Sequence, residues 1–92
     1  MAGTLLQISA REGWAGAAID AWQTLAVVYQ ARGQVGAALD ARRQAVRRAS
    51  DAGLTTRQAQ LHINVGFALT TLGAREEARE AVLAGISLAQ TI

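Results

Sequence analysis

Residues 22–45, WQTLAVVYQARGQVGAALDARRQA, decide the fold. Apolar and small side chains recur at helical spacing before Gly33 and again after it, which is typical of two amphipathic helices. The first stripe consists of Trp22, Leu25, Ala26 and Tyr29, and the second begins with Val35, Ala38 and Leu39. Glycine readily adopts the left-handed conformation that ends a helix. The stretch therefore predicts a helical hairpin that turns at Gly33.

The rest of the chain repeats this hairpin at an interval of 40 residues. Gly33 corresponds to Gly73, and Gly13 corresponds to Gly53. The apolar and small positions that also correspond are Leu25 and Val65, Ala26 and Gly66, Tyr29 and Leu69, Ala38 and Ala78, Val46 and Ile86, and Ala49 and Ala89. A fixed period of this length indicates stacked supersecondary units.

The four glycines in register divide the chain into five predicted helices. Their ranges are 3–12, 15–32, 35–52, 55–72 and 75–91. Thr55 and Gln58 have the spacing of a capping box at the start of the fourth helix. The fifth helix carries Glu76, Glu77 and Glu80 in its first turns, where carboxylates interact favourably with the helix dipole.

The two ends of the chain indicate an incomplete array of repeats. Shifted by 40 positions, Leu5 and Leu6 correspond to Ala45 and Val46, so the first predicted helix matches only the second half of the third. The chain ends at Ile92, one residue before the next glycine is due. We expect one domain, 1–92, divided into a half repeat at 1–13 and two repeats at 14–53 and 54–92. This pattern predicts a piece or a descendant of a longer array, with apolar faces left open at both ends.

Composition restricts the classes of function. A chain of 92 residues has the length of one small domain. The absence of cysteine excludes disulfide bonds and thiolate metal sites, and the nine basic residues, all arginine, give a net charge of only +2. The longest charge-free run, 58–74, is too short and too polar to span a membrane, and residues 1–12 lack the pattern of a secretory signal. We therefore expect a soluble, cytoplasmic protein.

The hairpin pattern resembles the tetratricopeptide repeat family. That family carries Trp-x2-Leu-Gly-x2-Tyr, then an Ala-x3-aromatic pair and a late proline. The corresponding residues are Trp22, Leu25, Ala26, Tyr29, Ala38 and Arg42 in the first copy, and His62, Val65, Gly66, Leu69, Ala78 and Val82 in the second. Arg42 replaces the aromatic residue, proline is absent, and the period is 40 residues rather than 34. The longer period is more similar to the repeats of bacterial signalling ATPases and regulators and of kinesin light chains.

The resemblance implies an all-α fold in which antiparallel helical hairpins stack as a short solenoid. It also implies a concave groove lined by the first helix of each hairpin. The groove positions are Gln23, Val27, Gln30, Ile63, Asn64, Phe67 and Thr70. Ile63 and Phe67 lie one helical turn apart, and they form either an apolar platform for a peptide or a contact with a neighbouring helix.

Chaperone-binding members of the family grip a C-terminal carboxylate with lysines, asparagines and an arginine. Asn64 matches one of these positions, but Gln23 and Val27 stand where a lysine and an asparagine are expected. Because the chain contains no lysine, we do not expect that clamp, and Asn64 is interpreted as an ordinary polar helix residue.

The remaining polar residues favour structural roles. The run RRQAVRR at 42–48 spreads its arginines around a helix, and only Arg43 and Arg47 share a face. A solvated surface is therefore expected rather than a phosphate-binding patch. His62 takes the position of Trp22, and a lone histidine makes a poor metal site, so we expect it at the core or its boundary. With no nucleophile motif or phosphate loop, we expect neither catalysis nor a cofactor.

These observations predict a non-catalytic protein–protein interaction or scaffold module of tetratricopeptide type, with a protein or peptide partner. The open ends predict self-association, most simply a two-fold dimer through the first or the last helix. Two alternatives stay open. One is a small arginine-rich helical protein that binds nucleic acid, and the other is a purely structural repeat fragment or design.

Overall fold

The computed structural model of the chain describes the backbone of residues 2–92 and the side chains of residues 13–92. Its backbone forms four helices: α1 (Ala2–Ala31), α2 (Val35–Asp51), α3 (Thr55–Thr71) and α4 (Arg75–Ala89). Residues 2–92 contain no strand. The all-α class predicted from the helical spacing is confirmed.

The same turn joins each pair of successive helices. Each turn has a glycine with a positive φ: Gly33 (75°), Gly53 (70°) and Gly73 (79°). The Gly73 N–H donates to the Thr70 carbonyl and the Ala74 N–H donates to the Leu69 carbonyl, both at 3.0 Å, and equivalent bonds form at the other two turns. These bonds make a Schellman motif, which satisfies the last carbonyls of a helix. The three helix ends predicted at these glycines are confirmed.

The predicted helix end at Gly13 is wrong. α1 runs without interruption through Gly13, so the described chain has four helices where the sequence pattern predicted five. The residues predicted as a half repeat belong to the same helix as the first hairpin. The side chains of Leu5 and Leu6 lie outside the described residues, and their correspondence with Ala45 and Val46 stays a prediction.

Gly13 shows that a glycine in register with the repeat does not always end a helix. A glycine inside a helix costs only about 1 kcal/mol relative to alanine, so it does not end the helix by itself. A Schellman turn is usually accompanied by an apolar contact across it, and Leu69 and Ala74 supply that pair at Gly73. At Gly33 the corresponding residues are Tyr29 and the polar Gln34, so an apolar pair does not by itself distinguish Gly13 from the other glycines.

The start of α3 differs from the predicted capping box. Leu54 is the N-cap residue, with φ −85° and ψ 74°, and no side chain makes a capping hydrogen bond. Thr55 is already the first helical residue, and the Gln58 side chain lies 3.5 Å from His62 Nε2 instead. The turn at Gly53 therefore sets the start of this helix without a side-chain cap. At α4, Glu76 and Glu77 occupy the first turn as predicted.

The helices pack in the order of the chain: α1 on α2, α2 on α3, and α3 on α4. One core cluster consists of Ile19, Ala45, Ala49 and Leu61, with Trp22, Val46 and Leu54 packed against it. A second cluster consists of Val65, Leu69 and Ala78, with Leu39, Val46, Ala74 and Ala81 packed against it. Val46 belongs to both clusters and joins the two hairpins.

Small residues let the helices of each hairpin approach closely. Ala26 and Ala45 are fully buried in the first hairpin, and Gly66 and Gly85 take the equivalent positions in the second. A Cβ added to Gly85 would lie 2.8 Å from the Ala59 carbonyl oxygen, and one added to Gly66 would lie 2.5 Å from Val82 Cγ2. The small residues at positions 26 and 66 therefore permit close contact between the helices of each hairpin.

Two hairpins, α1–α2 and α3–α4, lie side by side in a molecule that measures 49 × 30 × 14 Å. Within the described residues, no helix combines the length and the apolar character that crossing a bilayer requires.

Candidate partner-binding face

Four of the predicted groove residues form two exposed pairs on α1 and α3. Val27 and Phe67 correspond under the 40-residue shift, and their side chains are 61% and 67% exposed. Gln30 and Thr70 form a second corresponding pair, and both are exposed. Since residues three and four apart on a helix are neighbours, each apolar residue lies next to the polar residue of its own helix. We call the surface formed by these four residues, together with Asp20 and Arg57, the α1–α3 face.

An ion pair crosses from α1 to α3. Arg57 Nη2 donates to Asp20 Oδ1 at 2.8 Å. The guanidinium also lies over Gly16, since Arg57 Nη1 would be at van der Waals distance, 3.5 Å, from a Cβ added there. Asp20 precedes Val27 by two helical turns and therefore lies on the same side of α1. An exposed pair of this kind contributes at most about 1 kcal/mol, so its main effect is to connect the two hairpins at one end of the face.

Sequence reasoning did not identify Arg57 as part of this surface. Spacing rules relate side chains within one helix, and α1 and α3 are separated in the chain by the whole of α2. No sequence signal joins position 57 to position 20. The pair becomes apparent only when the two hairpins are placed side by side.

Intramolecular hydrogen bonds hold the polar side chains at the edge of the face. Arg42 Nη2 donates to Gln30 Oε1 at 2.8 Å, and Thr70 Oγ1 donates to the Gly66 carbonyl at 2.9 Å. Arg42 is half-buried where the family pattern has an aromatic residue, and its Nε is buried without a hydrogen-bond partner. The apolar side chains of Val27 and Phe67 thus lie beside polar groups that already have partners.

Ile63 and Phe67, for which the sequence left open an apolar platform or a contact with a neighbouring helix, have different surroundings in the structure. Ile63 is half-buried against α4, where its Cγ1 lies 2.9 Å from the position of a Cβ added to Gly85. Phe67 faces solvent. Asn64 and Gln23 are half-buried. The exposed apolar pair across the face is therefore Val27 with Phe67, and Ile63 belongs to the contact with a neighbouring helix.

His62 lies at the boundary of the core, as predicted. It is half-buried, and burial lowers the pKa of its imidazole by disfavouring the charged form. His62, Glu77 and Glu80 line a hollow of about 350 Å³ between α2 and α4. Within residues 13–92, no three His, Asp or Glu side chains are placed to hold a metal ion together.

One arginine of the run at 42–48 lies beside a carboxylate of α4. Arg43 Nη2 lies 3.5 Å from Glu77 Oε2 of α4, which neutralises one of the two arginines predicted to share a face. Arg47 and Arg48 are exposed. Affinity for nucleic acid comes from several cations that neutralise phosphates together, and a paired Arg43 weakens that combination.

Comparison with protein-family models, with curated proteins and with solved structures finds no match to this chain. The residues and distances described above are therefore the basis for a functional proposal.

Proposed function

We propose that this chain is a non-catalytic protein–protein interaction module of tetratricopeptide type, which binds a protein or peptide segment on its α1–α3 face. The observation that carries the proposal is the exposure of Val27 and Phe67. These two large apolar side chains occupy corresponding positions in successive hairpins, and both are exposed.

An isolated exposed apolar residue is common on protein surfaces and needs no explanation. Two of them at corresponding positions of neighbouring repeats form a pattern that a linear partner can follow from one hairpin to the next. Aromatic residues are enriched at interfaces, where a few apolar anchors supply most of the binding free energy. Phe67 is the strongest candidate anchor on this face.

The polar surroundings of the face support the same function. Gln30 and Thr70 are held by bonds to Arg42 and Gly66, and the ion pair of Asp20 with Arg57 lies at one end. An apolar centre beside polar groups is the usual composition of an interface between proteins. The partner that fits best is a segment with apolar side chains at regular spacing, either extended or helical.

The proposal is tested with a random peptide library selected against the chain at a concentration where the chain is monomeric. We expect the selected peptides to contain apolar anchors. We expect the double replacement Val27→Ser and Phe67→Ser to weaken their binding by about tenfold or more, because loss of a single anchor commonly costs about 2 kcal/mol. Circular dichroism should be unchanged, since both side chains are largely exposed.

A matched control removes the same number of exposed apolar side chains away from the face. Val28 and Leu72 are suitable, because Val28 points about 100° away from Val27 around α1 and Leu72 lies at the end of α3. The double replacement Val28→Ser and Leu72→Ser should leave peptide binding unchanged. A library that yields no binders, or binders indifferent to residues 27 and 67, would contradict the proposed function.

A further inference from the structure

We propose that copies of this chain stack head to tail, with α4 of one copy packed on α1 of the next in the way that α2 packs on α3. This inference rests on the interaction role proposed above, and it names a second copy of the chain as the partner of surfaces outside the α1–α3 face. Its basis is that residues used in the internal α2–α3 contact have exposed equivalents at both ends of the row of helices.

The internal contact between α2 and α3 is formed mainly by apolar residues. On the α3 side, Leu61, Val65 and Leu69 are buried. On the α2 side, Val46 packs against both core clusters and Ala49 is fully buried. Leu54, at the start of α3, packs against the same region. This contact shows how one hairpin packs on the next.

The outer side of α1 carries the equivalents of the α3 residues in this contact. Shifted back by 40 positions, Leu54, Leu61 and Val65 become Trp14, Ala21 and Leu25. All three are exposed, and Trp14 is 81% exposed, whereas Tyr29, the equivalent of Leu69, is half-buried. We call Trp14, Ala21 and Leu25 the α1 end face. Leu25 was predicted to lie in the core stripe, and it is exposed because no described helix takes the place that α2 takes against Val65.

The outer side of α4 carries the equivalents of Val46 and Ala49 of α2, which are Ile86 and Ala89. Beside them lies Leu83, the equivalent of Arg43, which is exposed at the rim of the hollow that Val46 also lines. Leu83 is 52% exposed and Ile86 is 44% exposed, and Ala89 is also exposed. We call Leu83, Ile86 and Ala89 the α4 end face. Leucine at 83 in place of arginine makes this side of α4 more apolar than the corresponding side of α2.

The two end faces are chemically compatible. The α1 end face carries no charge. Arg79, beside the α4 end face, corresponds to Leu39 under the 40-residue shift, and Tyr29 corresponds to Leu69. Leu39 and Leu69 pack in the same core cluster. In the stacked arrangement Arg79 therefore approaches Tyr29 of the next copy, and a guanidinium packs favourably on an aromatic ring.

Contact between unlike faces explains these surfaces better than a two-fold dimer. A two-fold pairing of α4 end faces would bring two copies of Arg79 into one interface, where like charges oppose association. A two-fold pairing of α1 end faces would leave Leu83 and Ile86 uncovered. Head-to-tail stacking covers both faces, and because the contact is heterologous it extends into open rows instead of closing as a dimer.

Sedimentation velocity on three forms of the chain tests this proposal. The α4-blocked variant carries Leu83→Glu and Ile86→Glu, and the α1-blocked variant carries Trp14→Glu and Leu25→Glu. We expect the unmodified chain to form species larger than a dimer between about 1 μM and about 500 μM. Each variant alone should associate at least about 100-fold more weakly, because two apolar side chains per contact are replaced by charges.

The decisive sample is an equimolar mixture of the two variants. Each variant keeps one intact end face, so the mixture should form a 1:1 complex and nothing larger, which a two-fold dimer through either face does not predict. Circular dichroism checks the fold of each variant. If a glutamate replacement disrupts the fold, the same position is replaced by serine and the measurement is repeated. An unmodified chain that stays monomeric, a variant that self-associates alone, or a mixture without the complex would overturn the proposal.

The failure of stacking and the failure of the proposed function can be told apart. Peptide binding is measured on the α4-blocked monomer, whose α1–α3 face is intact. Stacking is measured on the Val27→Ser and Phe67→Ser chain, whose end faces are intact. Peptide binding is thus measured in a chain that cannot stack through α4, and stacking is measured in a chain without the two peptide-binding side chains.

Discussion

Glycine has opposite effects at different positions of this chain, and the backbone conformation distinguishes them. At Gly33, Gly53 and Gly73 the φ angle is positive, and any Cβ would be strained there. At Gly13 the backbone is helical, and a Cβ would meet no atom within 4 Å. The first three glycines are required by their turns, whereas Gly13 only reduces the stability of α1.

The matched pair Gly33→Ala and Gly13→Ala tests this distinction. Gly33→Ala should lower the free energy of unfolding by about 1–2 kcal/mol, because alanine is strained in the left-handed region. Gly13→Ala should raise it by up to about 1 kcal/mol, because alanine favours the helix. Urea denaturation measures both. Equal destabilisation at the two positions would favour a helix end at Gly13 and contradict the continuous α1.

Residue-level patterns predicted some features and missed others for identifiable reasons. The left-handed glycines were predictable because their spacing and the helical stripes agree. The capping box at Thr55 was wrong because the Schellman turn places Leu54 at the N-cap position. The ion pair of Asp20 with Arg57 was not predictable, because it joins helices that are not consecutive.

At the scale of helices, two glycines allow α3 and α4 to pack at close distance. Gly66 packs against the Val82 side of α4, and Gly85 packs against Ala59 and Ile63 of α3. The first hairpin has alanine at both corresponding positions, Ala26 and Ala45, and both are fully buried. The second pair therefore tolerates less volume at these positions than the first.

Gly85→Ala should destabilise the protein by about 1–3 kcal/mol, although alanine favours helix formation. The added Cβ would lie 2.8 Å from the Ala59 carbonyl oxygen and 2.9 Å from Ile63 Cγ1, so the helices must move apart. Gly36→Ala is the control, because a Cβ there meets nothing within 4 Å, and it should be neutral or stabilising. Thermal unfolding followed by circular dichroism distinguishes the two, and a stabilising Gly85→Ala would exclude this close contact.

At the scale of the whole molecule, the repeat predicted the two hairpins but not the helix count. Positions 40 residues apart are both buried at Ala38 and Ala78, whereas Ala49 is buried and Ala89 is exposed. The spacing of the glycines did not distinguish Gly13, which lies inside α1, from the three glycines at which helices end. For the candidate face, exposure of Phe67 and burial of Ile63 depend on where α4 packs, which helical spacing within α3 does not determine.

Inserting a second copy of residues 14–53 after Gly53 tests the repeat in one polypeptide. The inserted Trp14 and Leu25 should pack on α2, as Leu54 and Val65 do in the parent chain. We expect the free energy of unfolding to rise by about 2 kcal/mol or more, with a larger denaturant dependence. Guanidinium denaturation measures both quantities.

The control insertion carries serine in place of the inserted Trp14 and Leu25 and should give little added stability. An unmodified insertion that unfolds separately, at or below the midpoint of the parent chain, would show that the outer side of α1 cannot receive a preceding hairpin.

The packing of each helix on its neighbour in the chain also has a kinetic consequence. Within the described residues, the helices whose backbones pack together are all consecutive, so most of the segments that must meet are close in sequence. Little loop-closure entropy is lost before each contact forms, and chains with such low contact order fold fast, on microsecond to millisecond timescales. Because α1 and α2 form a hairpin of their own, they can pair on the ribosome before α4 has been synthesised.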